Sequence, residues 1–436
     1  LEALFKPITK RTKMIMRPES VNEIVRLAFK YAESEKPGAT HINLPEDIAK
    51  EEVPEGVARK FITTAPKNKE YADIESIEHA AAAIFQAEHP VILAGHSAVR
   101  AKASRALTEF ATNLKIPVVN TMMAKGIVPY DNPYSMWTIG IPQKDYQNVI
   151  LEKADLIITV GYDIVEFAPI KWNLKDDHKI IHIDSRPSHV NKLYQPVTEV
   201  IGDISDSLEK IGNRCHRTKE PEQALAIKRQ MSKEHEQYEN DMAYPVKPQK
   251  ILCDIRSVMG KEDILVSDVG AHKMWISRHY NCYEPNTCLI SNGFATMGIA
   301  HPGSIAAKML YPERKVLAVT GDGGFMMNCQ EIETAVRMNV PIVVLVMRDD
   351  SYGLIKWKQD DRFGDHCFVD FTNPDFVKMA ESMHAVGLRV DKTEDLKDVL
   401  EQAFASGKVC IIDCPVDYVE NTKLTEHLKQ MIAELE

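Results

Sequence analysis

Residues 315–355 read KVLAVTGDGGFMMNCQEIETAVRMNVPIVVLVMRDDSYGLI, and this stretch decides the fold. One apolar run ends in Gly321-Asp322-Gly323-Gly324, a helical stretch follows, and a second apolar run ends in Arg348-Asp349-Asp350-Ser351. Both runs are apolar at consecutive positions, the pattern of strands covered on both faces of a parallel sheet. The 27 residues from Asp322 to Asp349 fit one strand end, one helix and one further strand, the length of a crossover unit. If the two strands are neighbours, Asp322 and Asp349 meet at the carboxyl edge of the sheet, where ligands bind at helix N-termini.

The glycines beside Asp322 let backbone N–H groups come close to a phosphate, and the following helix points its positive end at the same place. Asp322 by itself repels a phosphate. A divalent cation between them removes the conflict, since Mg²⁺ takes carboxylate, carbonyl and phosphate oxygens together. The plain alternative is a tight GDGG turn and a solvated RDDS loop, and GDGG alone does not separate the two readings.

The alternation of strand and helix extends on both sides. DILVSDVG (263–270) and KVCIIDCPVD (408–417) complete a unit spanning 249–436. A second α/β unit, 75–212, starts with a helix near 77–86 and continues through PVILAGH, IPVVNT, ADLIITVGYD, HKIIHID and VTEVIGDI. Residues 213–248 are charged and read as a surface helix or linker. In residues 1–65, SVNEIVRLAFKYAESEKPG is an amphipathic helix opened by Ser20 and closed before Pro37-Gly38, followed by a strand, HINLPEDI, ending at Pro45. So short a segment is too small for a complete α/β domain and reads as the tail end of one. TTAPKNKEYADIES (63–76) reads as a polar linker.

The composition of the 436 residues, 44% hydrophobic and 27% charged, excludes disorder and fibrous repeats. A net charge of −10 argues against nucleic acid or an anionic membrane as a general partner, and no run is long and apolar enough to span a bilayer. The eight cysteines are scattered without a C-x-x-C pair, as in a protein of the reducing cytoplasm without structural zinc.

GDGGF followed at this distance by a second acidic or amide residue resembles the cofactor motif of thiamine diphosphate enzymes. The whole chain resembles the acetolactate synthase large chain. LFKPITK, PVILAGH, ADLIITVGYD with EFAPIKWN, VSDVGAHKMW, ISNGFATMGIAHP, GDGGF, QEIETAVR and PVDY occur in family order and span nearly the whole sequence. The resemblance implies a three-domain α/β architecture of parallel sheets flanked by helices, with the first, pyrimidine-binding domain truncated to residues 1–65. The central domain would be 75–212, the linker 213–248 and the diphosphate-binding domain 249–436.

The same resemblance assigns roles. Asp322 and Asp349 would bind Mg²⁺ with the backbone carbonyl of Ser351, and Gly321, Gly323, Gly324 and Tyr352 would border the cofactor. Gly270 and His272 would contact thiamine diphosphate, although Ala271 stands where many members have Gln; a hydrogen-bonded loop histidine is the other reading of His272. Met297 would support the bent cofactor, which brings its 4′-amino group to thiazolium C2, and Gly293 would offer a carbonyl to the aminopyrimidine. Residues 352–357 would face the substrate; Lys356 is either a carboxylate partner or an ordinary surface lysine, and Trp357 fits a core position equally well.

The glutamate that drives ylid formation in the family lies upstream of LFKPITK. Glu19, Glu23, Glu33 and Glu35 read as solvated carboxylates on or beside a polar helix face. The 436 residues alone are therefore expected to be impaired, since a positioned acid–base group contributes about 10²–10⁴-fold. The reaction implied is decarboxylation of pyruvate and carboligation to a second 2-oxo acid, giving 2-acetolactate and CO₂, in a biosynthetic or a catabolic role. Tyr162 to Phe167 replace the Arg-rich turn of FAD-containing members, so FAD is not expected, although NTMMAKGIVP (120–129) resembles the FAD-containing branch. A homodimer or homotetramer, with a regulatory small subunit, is the assembly implied. Two further readings are another thiamine diphosphate decarboxylase or carboligase, and a truncated cofactor-binding subunit without activity.

Overall fold

The computed structural model describes residues 1–53, 69–141, 144–175 and 177–424. They fall into two units, Leu1–Glu70 and Tyr71–Glu436. In the first, strands Arg11–Met14 and Thr40–Asn43 pair in parallel, joined by the helix Val21–Glu33. The helix occupies its expected span, but the Ser20 hydroxyl donates to the carbonyl of Arg17 and leaves the helix without a side-chain cap. The strand ends at Asn43, before Pro45, and Pro45 instead precedes a short helix, Glu46–Lys50. Residues 54–68 lie outside the described part, and with them residues 63–68 of the expected polar linker. Its end is helical, because the helix expected near 77 begins at Ile74 behind Asp73, whose carboxylate accepts from the amides of Glu75 and Ser76 at 3.0 and 3.1 Å.

Two six-stranded, wholly parallel sheets build the second unit. Across the central sheet the strands run Ser135–Thr138, Val118–Asn120, Pro90–Ala94, Leu156–Val160, Lys179–Asp184 and Thr198–Ile201. In the other the order is Cys288–Ile290, Ile264–Ser267, Val316–Gly321, Val343–Arg348, Cys410–Pro415 and Val386–Arg389. Every residue of Pro90–Ala94, Leu156–Val160 and Ile264–Ser267 is buried, as the continuous apolar runs require. The charged segment after residue 212 contributes a helix, Glu222–Glu236, whose Ala224, Ile227 and Met231 join the apolar core around Trp137 and Tyr146.

The chain order reverses once in the interior of each sheet, and again at the edge of the second, where Cys410–Pro415 inserts between Val343–Arg348 and Val386–Arg389. The strands that part at the interior reversal are Pro90–Ala94 and Leu156–Val160 in the central sheet, and Ile264–Ser267 and Val316–Gly321 in the other. Such a reversal opens a crevice beyond the carboxyl ends of the parting strands, the usual ligand position in open α/β sheets. All eight cysteines are free thiols, and no helix among the described residues is long and apolar enough to cross a membrane.

Candidate active site

Val316–Gly321 and Val343–Arg348 are hydrogen-bonded neighbours, with Gly321 opposite Met347, so the carboxyl ends that carry Asp322 and Asp349 lie side by side. Asp322 opens the helix Asp322–Asn328 and is buried. Its Oδ1 accepts the Gly323 amide at 2.8 Å; its Oδ2 accepts the amides of Asp350 at 2.7 Å and Asp349 at 3.3 Å and the side-chain amide of Asn373 at 2.8 Å. Burial raises the Asp322 carboxyl above the ordinary range, against the pull of these donors. Asp349 has fewer donors. Burial pushes its carboxyl up to about 7, with the charge of Asp322 adding to the rise and the Ser351 hydroxyl, 2.7 Å from Oδ2, opposing it. A buried and a half-buried carboxyl at adjacent strand ends, both harder to ionise than usual, are what a cation would neutralise.

The loop after the second strand turns tightly onto Asp322. Asp350 has the left-handed φ of 56°, which turns its amide onto Asp322. Gly353 follows because a Cβ there would stand 2.5 Å from Asp349 Oδ2. Gly323 is equally constrained, since a Cβ would lie 2.8 Å from the ring of Tyr352.

Opposite these residues stands the end of Ile264–Ser267. Gly270, Ala271 and His272 line the same cleft as Asp322, Asp349, Ser351 and Tyr352. Burial lowers the His272 imidazole to about 4, so the ring is neutral near pH 7, and its buried Nε2 has no hydrogen-bond partner among the described residues. The hydroxyl of Tyr418, also lining the cleft, is buried and unpartnered in the same sense. Burial holds this phenol well above its ordinary value, with the charges of Asp349 and Asp322 adding to the effect.

Comparison with known proteins gives this arrangement a family. Residues 77–211 match the central domain of thiamine pyrophosphate enzymes, and residues 268–414 match their C-terminal TPP binding domain. An acetolactate synthase of Bacillus subtilis is 35% identical over 97% of this chain and 74% of its own length. A catabolic acetolactate synthase of Raoultella terrigena is 30% identical over 99% of the chain and 78% of its own length. A probable acetolactate synthase large subunit of Methanocaldococcus jannaschii is 31% identical over 96% of the chain and 73% of its own length. The chain belongs to the acetolactate synthase family of thiamine pyrophosphate enzymes.

For an acetolactate synthase family member, the cleft gathers nearly every residue singled out from sequence. Met297 lines it with the four glycines and both aspartates. Gly293 does not. It sits in an exposed loop with φ 79°, where a Cβ would touch Val165 at 3.4 Å. Asn292 fastens this loop by donating to the Glu166 carbonyl at 2.8 Å, while Lys273 donates to Ser291 and Asn292. Lys356 pairs with Asp370 at 2.8 Å, and Trp357 is half-buried against the core of the C-terminal sheet.

Sequence reading did not assign Asp268, Asn373 or Tyr418. Asp268 accepts the amides of Gly298 at 2.8 Å and Ala300 at 3.1 Å, and thereby ties the end of Ile264–Ser267 to the turn that presents Met297. Its position at a strand end before Gly270 was the available signal, as was PVDY for Tyr418. Asn373 had none.

The crevice of the central sheet is different. Gly95 and Gly161 follow its parting strands, and a Cβ on Gly161 would lie 2.1 Å from the Ala98 amide. Both oxygens of the Glu166 carboxylate stand 3.0 Å from the His96 amide, and Oε2 also accepts from the Thr121 hydroxyl at 2.6 Å. A carboxylate of the chain itself thus takes up donors at this crevice.

Proposed function

We propose that the chain is a thiamine diphosphate- and Mg²⁺-dependent acetolactate synthase that decarboxylates pyruvate and joins the product to a second 2-oxo acid, releasing CO₂. The observation that carries this reading is the convergence of Asp322 and Asp349 at adjacent strand ends beneath a glycine-lined helix N-terminus. The donor set fits the cofactor. Among the described residues no three His, Cys, Asp or Glu side chains form a closed metal cage, so an ion held by Asp322, Asp349 and the Ser351 carbonyl would need its remaining ligands from a diphosphate and water. His272 Nε2 and the Tyr418 hydroxyl each have hydrogen-bonding capacity to spare at the cleft.

When bound, thiamine diphosphate supplies the carbanion chemistry that an unassisted 2-oxo acid lacks. The residues of this chain do the positioning. Asp322 and Asp349 would hold the ion, the amides after Gly321 would receive phosphate oxygens, and Met297 would offer the cofactor an apolar surface. Tyr352 and the helix Gly353–Phe363 border the cleft where the 2-oxo acids enter.

FAD is left out of this reading, which the Glu166 carboxylate supports by already accepting from the His96 amide at the crevice of the central sheet. Helix Gly353–Phe363 buries no residue in the single chain, and Phe363 and Phe368 are exposed, which supports a homo-oligomer that covers this face. A regulatory small subunit and a cytoplasmic location complete the reading. Chromatographic identification of 2-acetolactate from pyruvate, with protein, thiamine diphosphate and Mg²⁺, supports the proposal. A different carboligation product, or only released aldehyde, overturns it.

A further inference from the structure

Asn373 lies in the segment between the helices Gly353–Phe363 and Phe376–Ser382, remote in sequence from both strands that carry the aspartates. Its single Nδ2 donates to two carboxylates at once, to Asp322 Oδ2 at 2.8 Å and to Asp350 Oδ1 at 2.8 Å. Both neighbours only accept, so the amide has one chemically sensible orientation, with NH₂ between the acids and the carbonyl turned away. The buried Oδ1 has no partner among the described residues. The amide thus leaves its acceptor unsatisfied in order to hold the two acids.

The surrounding backbone shows what is being held. Tyr352 N–H donates to the Val369 carbonyl at 2.9 Å and Phe371 N–H to the Asp350 carbonyl at 3.0 Å, around an antiparallel bridge between Ser351 and Asp370. The metal loop is therefore paired with residues 369–371, and Asn373 closes that pairing onto Asp322. Asp350 is gripped on its other oxygen by Arg348 at 3.1 Å. Held this way, its left-handed backbone keeps its amide on Asp322 and sets Asp349 and Ser351 in register with that carboxylate.

We propose that Asn373 is a positioning residue that fixes Asp322 and the loop Asp349–Ser351 as one preassembled cation site. This rests on the reading that Asp322 and Asp349 hold the cation. Outer partners of metal ligands typically contribute about 10–100-fold to metal affinity.

The test uses the full chain with thiamine diphosphate and Mn²⁺ as the probe, the free ion being read by electron paramagnetic resonance. Asn373→Ala is expected to weaken Mn²⁺ binding by about 10–100-fold, and the isosteric Asn373→Asp by more, because it replaces the shared donor with a third acid. Asn373→Ser, which keeps one donor, is expected to recover part of the loss. Saturating Mn²⁺ should return thiamine diphosphate affinity to the wild-type value in Asn373→Ala, which a merely misfolded protein would not show. Asp322→Asn is the control. If it binds Mn²⁺ as tightly as the wild type, the cation-site reading itself fails. If it loses Mn²⁺ while Asn373→Ala and Asn373→Asp stay within about twofold of wild type, only the role of Asn373 is overturned.

Discussion

The two parallel sheets of this protein each reverse their strand order in the interior, and these two interior reversal points have opposite fates. At the central sheet, between Pro90–Ala94 and Leu156–Val160, the chain brings its own anion, and Glu166 sits on the His96 amide and the Thr121 hydroxyl. At the C-terminal sheet, between Ile264–Ser267 and Val316–Gly321, the crevice stays open and is lined by glycines, two reluctant carboxyls and two buried polar atoms, His272 Nε2 and the Tyr418 hydroxyl, without partners among the described residues. Topology places a ligand crevice in both sheets. On the proposed function, the charge that the chain itself commits there sets whether an outside anion is excluded or, through a cation, invited.

The contrast breaks most severely at Asp322. Asp322→Asn should abolish detectable Mg²⁺-dependent binding of thiamine diphosphate in calorimetry, because it removes the carboxylate on which four donors converge. Glu166→Gln, at the other crevice, should cost stability of about 1–3 kcal/mol through weaker hydrogen bonds to His96 and Thr121, measured by urea denaturation. Its affinity for thiamine diphosphate should stay close to wild type. The reverse outcome, with cofactor binding lost in Glu166→Gln and kept in Asp322→Asn, would invert the assignment of the two crevices.

Met297→Ala should leave Mg²⁺ affinity unchanged and reduce turnover by about tenfold in single-turnover assays, since it removes support for the cofactor's bend and no ligand of the ion. The smallest effect is on acid stability. Burial lowers His301 to about 4 and His235 to about 3, against an ordinary 6.5. Both rings are bound neutral in the folded state, so the unfolded chain takes up protons first, and stability falls as pH drops from about 6.5 towards 4. His301→Leu should flatten that slope in denaturation series at stepped pH; an unchanged slope would mean that this buried ring does not contribute.

The long apolar strands were readable because central strands of a parallel sheet are covered on both faces and cannot alternate. Ser135–Thr138, Cys288–Ile290 and Val386–Arg389 escaped notice for the converse reason. All three lie at sheet edges and are short, and VGLR is only partly buried. The pairing of Asp322 with Asp349 was legible from one crossover length. Asn373 was not, because it reaches Asp322 across 51 residues of sequence and carries no local pattern. Helix Glu222–Glu236 reads as a charged surface element, yet its Glu234 joins Asp145 in gripping the buried Arg278, a three-way contact that no single segment discloses.

The central claim is that one cation, shared by Asp322 and Asp349, recruits a diphosphate to the open crevice. Calorimetric titration of thiamine diphosphate into the protein, with Mg²⁺ and again in EDTA, tests it most directly. The account predicts saturable binding with Mg²⁺ that disappears in EDTA. Equal affinity under both conditions would contradict it.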